Sequence, residues 1–365
     1  MKIPPFEMER WQSTWESRVT VNLSESGVEP VALEELMGED DLRDLLRTPL
    51  SYTETQGSEE LREAVAGLYP DCGPENVLLT TGSAEANLLA TLATVEREAP
   101  FVTVLPNYMQ VWGLVRAWGK AVSLPLREER RWQPDPEEVK AAVRAGTTAI
   151  SLSHPNNPTG VSLNDESRRT LVDAAEEADA WILSDEVYRG AERIGDETPT
   201  FWGTGEKVLV TSGLSKAYGL PGLRLGWVCG PSEFVDRLWA LHDYTTIALN
   251  MLSDLVGRRV LGPWQEKLLH RARSLLRRNF PVLESFVGKN DLRWVPPEAG
   301  AIALVRYPWK VPSLQLAERA RKAGVLIVPG AHFREEGYVR LGYGMEREVL
   351  AKGLVILQSV FDQVA

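Results

Sequence analysis

The stretch NVLLTTGSAEANLLATL, residues 76–92, decides the fold. Asn76 to Thr80 reads as a short buried strand, and the chain then runs through Gly82 into a helix opened by Ser83, Ala84 and Glu85. A strand that passes through a glycine into a helix is the repeating unit of a parallel α/β sheet. The same alternation continues on both sides. Upstream, Ser58 to Tyr69 predicts a helix, with Ser58 as its cap, Glu59 and Glu60 at its positive end and Pro70 as its stop. Leu61, Val65 and Leu68 share one face of it. Downstream, buried strands are expected at Phe101–Leu105, Thr148–Leu152, Ala180–Ser184, Lys207–Thr211 and Leu225–Cys229, with a helix starting at Asp135 and Pro136.

After Cys229 the texture changes. Two long helical stretches are expected, from Ser232 to about Leu261 and from Pro263 to about Val287, with Leu and Arg at helical spacing. The rest mixes elements: Leu292–Val305, a helix over Ser313–Gly324, Val325–Val328, Tyr338–Leu341 and a last helix over Arg347–Phe361. The expected architecture is α/β. A large domain, residues 46–265, carries a mostly parallel mixed sheet sandwiched by helices. A smaller α+β domain combines residues 1–45 with 266–365.

With 365 residues, 44% apolar and 25% charged, the composition is that of a globular protein. A net charge of −11 argues against a nucleic-acid footprint, which needs a positive face. Cys72 and Cys229 are too far apart in sequence for a disulfide framework, and His154, His242, His270 and His332 follow no metal-ligand spacing. No apolar run is long enough to span a membrane, and the N-terminus lacks a secretory pattern. A reduced, cytoplasmic protein without a structural metal is expected.

Four stretches put polar groups directly after buried strands, the edge at which open α/β sheets bind ligands. Thr81-Gly82-Ser83-Ala84 brings backbone N–H groups to a helix start, which suits an anion such as phosphate. It is neither a dinucleotide nor a nucleoside triphosphate fingerprint. Ser153-His154-Pro155-Asn156-Asn157-Pro158-Thr159-Gly160 holds an asparagine rigidly between prolines. Ser184-Asp185-Glu186-Val187-Tyr188 ends a strand with an acid and, three residues on, a phenol. Ser215-Lys216 follows the strand ending at Thr211, with Arg224 eight residues after the lysine. A lysine amine forms a Schiff base with a carbonyl, and an arginine grips phosphate through paired hydrogen bonds. Singly, each has a plain reading: a turn, a cap, or a lysine reaching solvent along its stem. Together they are the set that holds a phosphorylated pyridine aldehyde.

In these motifs, spread in order from Tyr52 to Arg340, the chain resembles the fold type I, pyridoxal 5'-phosphate-dependent aminotransferases of class I/II. The resemblance implies that Lys216 bonds the cofactor and moves a proton for it, and that Asp185 pairs with the pyridine nitrogen. It implies that Asn157 and Tyr188 meet the ring's phenolate oxygen and that Tyr108 stacks on the ring. Ser83, Ala84, Ser215 and Arg224 would hold the phosphate. Arg340, helped by Asn157, would clamp the α-carboxylate of an amino acid or 2-oxo acid, beside Gly27. Tyr52 would reach the phosphate of a neighbouring subunit, which implies a homodimer. One position departs from the family pattern: three residues before the lysine, where a hydroxyl is usual, stands Gly213, with Ser212 one place earlier. Either Ser212 supplies the contact or the cup loses one. The same residues serve lyases, cyclases and oxidases of amino acids, including the capreomycidine synthase type, which the N-terminal texture resembles. The motifs do not separate these from transamination. No second arginine is assignable to a side-chain carboxylate, while Glu7, Glu16 and Glu25 leave room for a basic amino acid.

Overall fold

The computed structural model describes residues 3–364. Its strands are β1 Val21–Asn22, β2 Val77–Thr80, β3 Pro100–Leu105, β4 Lys120–Pro125, β5 Ala149–Ser153, β6 Trp181–Asp185, β7 Val208–Gly213, β8 Gly226–Cys229, β9 Ile302–Arg306, β10 Val325–Leu326, β11 Val328–Pro329 and β12 Tyr338–Gly342. Seven of them form one sheet in the order β2-β8-β7-β6-β5-β3-β4. β4, β3, β5, β6 and β7 run parallel, while β8 lies antiparallel between β7 and β2. Every residue of β2, β5, β7 and β8 is buried, as expected of a sheet covered on both faces. Because β3, β5, β6 and β7 are parallel, their C-terminal ends share one edge, and β2 joins them there through its pairing with β8.

A three-stranded antiparallel sheet, β11-β12-β9, carries Arg340 on its middle strand. β1 pairs in parallel with β10, so the N-terminal segment packs on the C-terminal elements. The helix Glu7–Trp15 is tied to the same unit by a 2.9 Å bond from Trp11 Nε1 to the Ile327 carbonyl.

Three expectations need correction. Ser58 precedes the helix Glu59–Ala66 but does not cap it, because its hydroxyl donates to Asp254 Oδ2 at 2.6 Å instead. The stretch from Ser232 to Leu261 is two helices, Ser232–His242 and Met251–Leu261. Between them Ile247 adopts a left-handed φ of 69°, and Asn250 caps the second helix by accepting from the Leu252 and Ser253 N–H groups. Leu292 to Val305 is mostly irregular, with the strand beginning only at Ile302. Asp135 does cap its helix, accepting from Glu137 N at 2.9 Å.

Candidate active site

Five strand ends of the large sheet converge on a cavity of about 440 Å3. Its wall includes Ser83 and Ala84 after β2, Tyr108 after β3, Ser153 and Asn157 from β5, and Asp185 and Tyr188 from β6. Ser215, Lys216 and Arg224 come from the β7–β8 connection. The helix Glu7–Trp15 and the residue after it close the opposite side with Met8, Glu9, Gln12, Ser13 and Glu16. These positions share one helical face. A larger hollow of about 500 Å3 lies between the first residues, Trp112 and Arg334, but no lysine lines it to bond an aldehyde.

The lysine is placed by the strand before it. β7 ends at Gly213, the chain turns, and Lys216 reaches the cavity floor, where its Nζ stands 3.0 Å from Glu25 Oε1. Glu25 is fixed in turn by the N–H groups of Ser26 and Gly27, each 2.8 Å from Oε1. The ammonium of Lys216 holds the Glu25 carboxyl down at about 2, against the effect of burial. Burial opposes the charge on Lys216, yet Glu25 and Tyr188 together raise its pKa.

Asp185 ends β6 with a network that the sequence did not point to. Thr211 donates to Asn87 Oδ1 at 2.6 Å, which turns the Asn87 amide nitrogen toward Asp185 Oδ2 at 2.8 Å. The Val187 N–H donates to the other carboxylate oxygen at 3.2 Å. Burial still pushes the Asp185 carboxyl up, so it favours the arrival of a cationic partner. Asn87 lies in the quoted helix, but only the pairing of β6 with β7 brings it, Thr211 and Asp185 together.

Asn157 is oriented the same way. Its Oδ1 accepts from Arg340 Nη1 at 3.0 Å, its Nδ2 donates to Tyr188 Oη at 3.1 Å, and its N–H donates to Ser153 Oγ at 3.0 Å. Arg340 is completely buried and does not itself line the cavity. Its Nη2 donates to the Ser24 carbonyl at 2.6 Å, Met8 Sδ lies 3.6 Å from Nη1, and Nε has no partner. Tyr108 donates to Glu9 at 2.9 Å. Gly27 packs on the lysine stem, since a Cβ there would stand 3.5 Å from Lys216 Cδ. Tyr52 takes no part in this chain's cavity and is 83% exposed.

The end suited to phosphate is built from backbone. Arg224, left-handed at φ 49°, brings Nη1 to 3.3 Å from Ser215 Oγ. Its Nη2 lies over Gly82, where an added Cβ would come within 2.4 Å, and Gly82 itself takes φ 80°. A Cβ on Gly226 would stand 2.4 Å from both Gly82 C and Ser83 N, so the helix start rests directly on β8. Gly213, opposite Gly226 in the ladder, has no room for a side chain either: its Cβ would meet the Leu225 carbonyl oxygen at 2.8 Å. Ser212 does not replace the missing hydroxyl. It faces away from the cavity and donates to the Glu186 carbonyl at 3.3 Å, beside a separate hollow of about 200 Å3. A helix N-terminus with an arginine over it fits a phosphate, a half-buried acid fits a pyridinium and a lysine fits an aldehyde, so the residues suit pyridoxal 5'-phosphate.

Comparison with known proteins agrees. The sequence profile described as aminotransferase class I and II matches residues 30–357. Capreomycidine synthase from Streptomyces vinaceus is 30% identical over 367 aligned residues, covering 98% of this chain and 94% of that protein. A probable aspartate/prephenate aminotransferase from Thermus aquaticus is 28% identical over 321 residues, 86% of this chain and 84% of its own. The crystal structure of a PLP-dependent aminotransferase from Streptococcus suis superposes with a TM-score of 0.95 at 31% identity, covering 100% of this chain and 99% of that one. The chain therefore belongs to the class I and II aminotransferases, the pyridoxal 5'-phosphate-dependent transaminases of fold type I.

Proposed function

We propose that the protein moves an amino group between an L-amino acid and a 2-oxo acid, with Lys216 as the residue that bonds the cofactor and carries the proton. The observation that carries this reading is the position of Lys216 Nζ on the cavity floor, among the strand ends that bring Asp185, Tyr188 and Arg224. When bound, pyridoxal 5'-phosphate supplies an aldehyde for the amine and a ring that accepts the electrons of the broken Cα–H bond.

The chain's own residues do the rest. Asp185, held in place by Asn87 and Val187, would keep a proton on the pyridine nitrogen. Asn157 and Tyr188, already bonded to each other, would meet the ring's phenolate oxygen. Ser83, Ala84, Ser215 and Arg224 would hold the phosphate, and Tyr108 would lie against the ring. Arg340 takes the substrate carboxylate once Met8 and the Ser24 carbonyl give way, with Asn157 linking the arginine to the cavity. Lys216 would move the proton at the substrate Cα. Tyr52, exposed here, completes the phosphate site of a second copy in a homodimer.

The charged residues left on this chain's wall are Glu9, Glu16 and Glu25. They offer no counter-ion to a side-chain carboxylate, which speaks against a dicarboxylic substrate. A second reading, an amino-acid cyclase, lyase or oxidase, draws support from the likeness to capreomycidine synthase. The test is to supply the holoenzyme with single amino acids, with and without a 2-oxo acid. Transamination predicts steady consumption of the oxo acid in proportion to amino acid lost. Ammonia or a cyclised product formed without an oxo acid would favour the second reading.

A further inference from the structure

Glu25 belongs to none of the roles assigned above, yet it makes the shortest polar contact of the lysine. It sits in the loop after β1, far from Lys216 in sequence, and its Oε1 accepts from Ser26 N and Gly27 N as well as from Lys216 Nζ, at 2.8, 2.8 and 3.0 Å. Two backbone donors hold that oxygen whatever the lysine does. It is thus a preset group rather than a flexible surface acid. Its side chain is 44% accessible through the cavity, so water screens the pair without breaking it. The other charged or titratable groups around Lys216 are Tyr188 and Asp185 from the end of β6, Arg340 from β12, and, farther along the cavity wall, Glu9 and Glu16 from the N-terminal segment, Tyr108 after β3 and Arg224 before β8. Arg340 is occupied by Asn157 and Ser24, and Asp185 by Asn87 and Val187. Glu25 alone among these is bonded to the lysine nitrogen.

We propose that Glu25 is the positioning residue of Lys216, holding the lysine nitrogen at the cavity floor and keeping its proton in place by the charge of a carboxylate preset by two amides. This rests on the reading of Lys216 as the cofactor-bonding residue. The nitrogen remains on the lysine when the cofactor is bonded, and the two amides hold Glu25 where it can act on that nitrogen. Glu25→Gln keeps an oxygen for the two amides and removes only the charge.

The experiment is a pH titration of the holoenzyme, following the absorbance of the lysine-bound cofactor without substrate. A carboxylate at about 3 Å, screened to between half and full water-like dielectric, is worth about one to two pH units. The midpoint of Glu25→Gln should therefore fall by about that amount, because the protonated nitrogen has lost its counter-ion. Glu25→Ala is the second neutral variant and must give the same downward shift if Glu25→Gln fails to fold. Glu25→Asp, which keeps the charge farther away, should fall between Glu25→Gln and the parent. A neutral variant with the parent midpoint overturns the proposal and leaves the role of Lys216 standing. A parent protein with no lysine-bound absorbance at any pH overturns the reading of Lys216 itself.

Discussion

Restoring the family's hydroxyl three residues before the lysine, by Gly213→Ser, should damage the protein rather than improve it. A Cβ on Gly213 would stand 2.8 Å from the Leu225 carbonyl oxygen and 3.1 Å from Gly226 Cα, both backbone atoms. Ordinary contacts between carbon atoms lie at about 3.5–4.0 Å, so β8 would have to retreat by several tenths of an ångström. It is not free to do so, because it is paired to β7 on one side and to β2 on the other. Overpacking of this kind costs about 1–3 kcal/mol, and about 2 kcal/mol corresponds to a roughly 30-fold change in the unfolding equilibrium. The displacement would also reach the cofactor end of the cavity, since Gly226 supports Gly82 and Ser83 directly. Urea unfolding of the cofactor-free chain and a titration with pyridoxal 5'-phosphate measure the two effects. The expected outcome is a stability loss of about 2 kcal/mol and weaker cofactor binding, about tenfold if about 1.4 kcal/mol of the strain reaches Gly82 and Ser83. A variant as stable as the parent that binds cofactor equally well or more tightly would refute the steric reason for glycine at this position.

Glu186 is completely buried, and burial pushes its carboxyl up to about 7 from an ordinary 4.5, only partly offset by the Phe201 N–H and other donors. The folded chain thus keeps a proton that the unfolded chain has already lost, and the associated stability is full below pH 4.5 and disappears as the pH rises through 7. Glu186→Gln, a neutral isostere, should therefore exceed the parent in stability at pH 8 by about 3 kcal/mol, with the gap closing toward pH 4.5. Urea midpoints measured across that range check it, and a gap that widens on acidification would show the sign to be wrong. Asp185→Asn should leave the unfolding midpoint near that of the parent at neutral pH, because the lost carboxylate was buried at a cost. Removing the charge proposed to face the pyridine nitrogen should lower turnover by about 10- to 100-fold, the scale of one charged hydrogen bond. Unchanged turnover would dissociate Asp185 from the ring.

The strands of the large sheet were readable because burial on both faces leaves apolar runs, such as Val77-Leu78-Leu79 and Val208-Leu209-Val210. β4 escaped notice because it is the edge strand: Lys120 and Ser123 are exposed, which breaks the run. The interruption after His242 was hidden because no proline or glycine marks it, although Asn250 carried a cap signal. Motif residues after strands were legible one by one, since each follows its strand locally. What was not legible was tertiary. Met8, Glu9 and Gln12 face the cavity only because Trp11 docks their helix on Ile327. Gly82 and Gly213 were visible as a junction and as a departure, but that they and Gly226 together let a helix start rest on a strand was not.

The central claim is that Lys216 is the lysine that bonds pyridoxal 5'-phosphate. Reducing the holoenzyme with borohydride makes that bond permanent, and proteolysis with mass analysis then locates the added pyridoxyl group. The expected result is a single labelled peptide carrying Lys216. A label on another lysine, such as Lys120 or Lys207, or no label on a protein that holds the cofactor, would contradict it.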